Sequence, residues 1–84
     1  MVMKKHHAYV VKWRDSSTLR GWASMEGDHS VAVITSVGWM VKETKTALTL
    51  TTGISEHGNV CDAITIPRET VTKITKLKSY IAGP

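Results

Sequence analysis

The sequence predicts an all-β domain: a small barrel of five strands with a 3₁₀ turn before the last one. Three observations carry this. Val, Ile and Thr are plentiful and Phe is absent; β-branched side chains lose rotamer freedom in helices and fit a pleated surface. Three rows of apolar residues alternate with polar ones at period two: Val37, Trp39 and Val41; Leu48, Leu50 and, past the Thr51-Thr52-Gly53 kink, Ile54; then Val60, Ile64 and Ile66. Short polar turns at residues 43–46 and 56–59 join these rows into a meander.

Taken in order, residues 1–7 form a polar lead-in expected to be loose. Residues 8–14 read as the first strand, with Tyr9, Val11 and Trp13 on one face. Asp15, Ser16, Ser17 and Thr18 form a turn cluster whose side chains bond their own backbone, and residues 25–30 read as a loop. The long second strand holds the Val37-Trp39-Val41 row, which assigns Trp39 to the core. Gly38 lies inside it. A glycine there marks a bend, a bulge or the close approach of another backbone. Pro67 ends the fourth strand because it has no N–H for a ladder, and residues 67–70 make a tight turn of 3₁₀ type. Ile74 is then the inward residue of a short fifth strand, and residues 78–84 are expected to be loose.

This order of strand, loop, long bent strand, two strands, 3₁₀ turn and short strand is that of an SH3-like barrel. The pattern Lys12-Trp13-x-Asp15, Ser36-Val37-Gly38-Trp39-Met40-Val41-x-Glu43 and Ile66-Pro67-x-x-x-Val71-x-x-Ile74-x-x-Leu77 resembles small uncharacterised proteins encoded by tailed phages. The second half is also similar to the Sm-like family. That resemblance implies a ring-forming RNA binder. In Sm-like rings the fourth strand of one subunit pairs with the fifth of the next, which here sets Val60 and Ile64 against Thr72 and Ile74 of a neighbour. Two features depart from that family. The chain opens on a strand-like segment instead of a short helix, and the segment equivalent to the RNA-binding loop, residues 53–59, has no aromatic residue and no Arg. The phage resemblance implies no activity.

A chain of 84 residues is one domain, residues 1–84, with a small core. Its single cysteine, Cys61, rules out an intrachain disulfide, so oligomerisation is the expected route to extra burial. Eleven Lys and Arg against seven Asp and Glu give a net charge of +4, compatible with a nucleic-acid partner. No apolar run approaches the roughly 20 residues that span a bilayer. The N-terminal lysines have no apolar stretch behind them. A cytoplasmic location with no membrane partner is expected, the host cytoplasm if the chain is phage-encoded.

Enzymatic and metal chemistry find no support. His6, His7, His29, His57 and Cys61 lack the paired short spacings of a structural zinc site, so Cys61 reads as a buried thiol and no metal or cofactor is expected. His57, Cys61 and Asp62 lack anything to fix a nucleophile against a base. Binding residues are more legible. Lys12, Arg14 and Arg20 cluster near the first turn, and Lys73, Lys76 and Lys78 near the end. If the first and last strands pair, the two clusters meet on one basic face. Trp22, in a loop-like stretch, is the candidate exposed aromatic. The expected function is a non-enzymatic homo-oligomer with nucleic acid as partner. The alternative is a module that docks on a host or phage protein.

Overall fold

The computed structural model describes residues 5–15, 22, 25–26 and 31–83. Among them are seven strands and one 3₁₀ turn: β1 (His6–Asp15), β2 (Ala32–Glu43), β3 (Ala47–Thr51), β4 (Gly53–Ile54), β5 (Val60–Cys61), β6 (Ile64–Pro67), the turn η1 (Arg68–Thr70) and β7 (Val71–Ala82). Five strands form one antiparallel sheet in the order β6-β3-β2-β1-β7, and β4 with β5 forms a separate two-stranded hairpin. The all-β class and the turn before the last strand agree with the sequence reading.

β2 belongs to both halves of the sheet. Residues 32–39 pair with β1, and residues 39–43 pair with β3. The handover falls at Gly38 and Trp39. A Cβ on Gly38 would lie 2.7 Å from the Thr51 carbonyl oxygen and 3.3 Å from Leu50 Cβ. Glycine is needed here for the close approach of β3; among the described residues the positive-φ glycines are Gly58 and Gly83. Just beyond, the register slips between Met40 and Lys42, so Val41 occupies a bulge.

The core joins Val11 and Trp13 of β1, Met40 of β2, Leu48 and Leu50 of β3, and Ile66 of β6, with Tyr9, Ile34 and Val71 packed against it. Tyr9, Val11 and Trp13 therefore face inward as their alternation predicts. Trp13 Nε1 donates to Ser36 Oγ at 3.0 Å, satisfying the indole where it is buried. The β2 face is the reverse of the expected one. Gly38 and Met40 are buried, Val37 is 58% exposed, and Trp39 and Val41 are half-buried. Both rows of β2 are apolar enough to be buried. The close crossing of β3 decides between them, because only a residue without a side chain can face it.

Two more corrections concern the termini and the fourth strand. β1 starts at His6 and β7 runs to Ala82, with His6 opposite Ala82 and His7 opposite Ile81, so residues 6–7 and 78–82 are strand and the last strand is long. The register shift between His7 and Ala8 takes up residues 78–80 and lets both strands continue. The expected fourth strand is broken at Asp62, whose φ of 50° turns the chain out of the extended region.

The corners are held by side chains. Thr44 Oγ1 accepts from the Ala47 amide at 3.1 Å, fixing the β2–β3 turn. Arg68 donates to the Glu43 carboxylate and, at 3.1 Å, to the Thr44 carbonyl, which ties η1 to that turn. Thr51 is the one buried polar residue among the described residues, 1% exposed; its hydroxyl accepts from the Cys61 amide at 3.1 Å and donates to the Cys61 carbonyl. This joins the β4–β5 hairpin to the sheet.

Candidate functional site

Partners directly opposite each other in an antiparallel pair share a face. β1 pairs β2 on one side and β7 on the other, so the residues of the face turned away from the core fall into rows. Leu77, Ala8 and Trp39 form one row; Thr75, Val10 and Val37 the next; Lys73, Lys12 and Thr35 the third; Arg14 and Val33 the last. The face runs from apolar to basic along β1. None of these residues is a carboxylate.

The basic end joins the two clusters that the sequence separates. Lys12 and Lys73 are direct cross-strand partners. Two cations so placed repel each other, and an anion between them removes that cost. Arg14 extends the basic end along β1. Lys76 does not join it: its partner is Tyr9, which lies on the core side of β1. The reason is parity, since Lys73 and Lys76 are an odd number of residues apart on an extended strand. Arg20 lies outside the described residues, as does His29. Trp22 is fully exposed, as its loop-like context suggests.

At the apolar end lies a groove of about 340 Å³ lined by Ala8, Val37, Gly38, Trp39, Thr52, Leu77 and Tyr80. Ala8 forms its floor and is 5% exposed, whereas Tyr80 stands at its side with 62% exposure. Tyr80 falls in the register shift of β7, which frees it from the regular row. The sequence reading missed Val10, Val37, Leu77 and Tyr80. A signal for the face, though not for Tyr80, lay in the even positions of β1, where Ala8 and Val10 are followed by Lys12 and Arg14, an order the inward row does not have.

The positions named for subunit pairing are exposed at 49% for Val60, 40% for Ile64 and 38% for Ile74. Ile64 is on β6 and Ile74 on β7, the two strands at the sheet edges. Val60 is on the hairpin, paired with Ile54. Thr72 is exposed and its hydroxyl donates to the Lys12 carbonyl at 3.2 Å within the chain.

Cys61 is exposed, not buried, because β5 is part of the projecting hairpin; its thiol lies 3.6 Å from Asp62 Oδ2. His57 is at the hairpin tip beside Glu56, at 3.5 Å. His6 donates from Nδ1 to the Met40 carbonyl at 2.9 Å, a contact that fastens the start of β1 to β2. Among the described residues no three His, Cys, Asp or Glu side chains converge on a metal position, and no helix is long and apolar enough to cross a membrane.

Comparison of the chain with family models, with curated proteins and with solved structures finds no match.

Proposed function

We propose that this is a non-enzymatic, phage-type protein with an SH3-like, Sm-like fold that assembles with copies of itself and binds RNA or another nucleic acid. The observation that carries the nucleic-acid reading is the Lys12–Lys73 cross-strand pair, with Arg14 on the same face and no carboxylate among the paired residues of its four rows. Protein surfaces ordinarily place opposite charges across a strand pair. A like-charged pair is relieved by phosphate.

The fold part of the reading is supported by the pairing of the first strand with the last and by the 3₁₀ turn between the two edge strands. Assembly is supported by those edges. β6 and β7 each bond a neighbour on one side only, and Ile64 and Ile74 expose apolar surface there. A second copy offering β7 to β6 makes a head-to-tail contact that propagates into a ring.

The test is binding of a labelled single-stranded RNA at about 50 mM and about 200 mM salt. Phosphate contacts make affinity fall steeply between the two, and Lys12→Ala lowers the slope by about 0.7 for each phosphate that the lysine had neutralised. No binding at the lower salt rejects the reading in favour of a module that docks on a host or phage protein, which the exposed Val33 and Val37 favour. Light scattering at micromolar concentration tests assembly separately, and a monomer of 9.3 kDa rejects it.

A further inference from the structure

We infer that the groove beside Trp39 and Tyr80 receives an unstacked base, so that the outer face takes single-stranded nucleic acid and not a duplex. The inference rests on the nucleic-acid reading above and deepens it, and three observations point the same way.

The first is order. The basic and apolar ends of the face lie on the same strands. Lys12 lies four positions along β1 from Ala8, a distance of roughly 13 Å on an extended strand. An extended run of a few nucleotides covers that span, with phosphates on Lys12, Lys73 and Arg14 and a base in the groove. A duplex offers its phosphates to the basic end, but its bases are stacked inside and cannot reach the apolar end.

The second is the lining. Trp39 and Tyr80 are aromatic, Leu77 and Val37 are apolar, and Ala8 and Gly38 add little bulk to the lining. Aromatic side chains hold bases of any identity by their π faces, which suits a site with few polar groups to read a sequence. Its polar groups are the Tyr80 hydroxyl, the Trp39 indole N–H, which is buried without a hydrogen-bond partner among the described residues, and the Thr52 hydroxyl, which already donates to the Cys61 carbonyl at 3.1 Å.

The third is the absence of any carboxylate in the four rows, which makes these rows complementary to a polyanion. The nearest acidic residue of β1, Asp15, has the opposite parity and lies on the other side of the sheet.

The experiment measures anisotropy of a labelled RNA, once as a single strand and once as a duplex, with the native chain and with Tyr80→Ala, Trp39→Leu and Lys12→Ala. Tyr80 is 62% exposed, so its truncation leaves the fold in place; the melting curve of each variant checks this. Trp39→Leu keeps an apolar side chain in the sheet while removing the ring. The expected result is tenfold or tighter binding of the single strand. Tyr80→Ala should weaken it about 5- to 100-fold with no change in salt slope, since stacking and phosphate contacts are separable. Ultraviolet crosslinking should attach the RNA to peptides containing Trp39 or Tyr80. Equal affinity for single strand and duplex, with Tyr80→Ala binding as the native chain does, overturns the base groove and leaves the nucleic-acid reading standing on phosphates alone. No binding of either form overturns both.

Discussion

The two faces of β2 are built from similar residues and do different work. On one face Gly38 and Met40 meet Leu50 and the core; on the other Val37 and Trp39 line an open groove. Apolar character does not separate them. What separates them is how closely another strand crosses. β3 passes over Gly38 so tightly that a methyl group does not fit, and that contact seals one face. The other face leaves Val37 58% exposed and keeps an open groove beside Trp39.

Substitutions on the two faces should therefore differ in cost. Leu48, fully buried, should show the largest effect: Leu48→Ala is expected to lose about 2–5 kcal/mol by chemical denaturation, much of the stability of a chain this small. Gly38→Ala comes next, at about 1–3 kcal/mol, because the carbonyl of Thr51 must retreat from the new methyl group. A Gly38→Ala protein that melts like the native chain would show that β3 is free to move, and the asymmetry between the faces would vanish.

Trp39→Ala should cost less than Leu48→Ala although the side chain removed is much larger. Half-burial leaves about 1–2 kcal/mol of apolar transfer to lose. A loss above that of Leu48→Ala would return Trp39 to the core and close the groove. Val37→Thr marks the other extreme: melting should change by no more than about 0.5 kcal/mol, because a side chain 58% exposed has little to lose.

Much of this architecture is legible in the sequence. The centres of β1, β2 and β3, the 3₁₀ turn after Pro67 and the inward row of β1 follow from alternation and from what proline cannot do. The facing of β2 does not, because period two says that a strand has two rows and leaves the choice between them to its neighbours. A glycine adds nothing to a hydrophobic count, yet Gly38 decides which row is buried. The basic face was half legible. Lys12 and Lys73 meet once β1 pairs β7, whereas Lys76 drops out on parity. The groove was the least legible part, since Tyr80 reaches it through a register shift that no local pattern announces.

The pairing of β1 with β7 also sets the order in which the chain folds. β2 and β3 are neighbours in sequence and meet through a short turn, and β6 follows after the β4–β5 hairpin, but Thr72 bonds the Lys12 carbonyl across 60 residues. Closing so long a loop costs entropy before any contact offsets it, which places this domain among the slower, high-contact-order folders. The β2-β3-β6 meander should form first. Until β1 arrives, the edge of β2 that it will cover stands open, with Val33 and Val37 beside it. That interval is when a newly made chain is most exposed to aggregation.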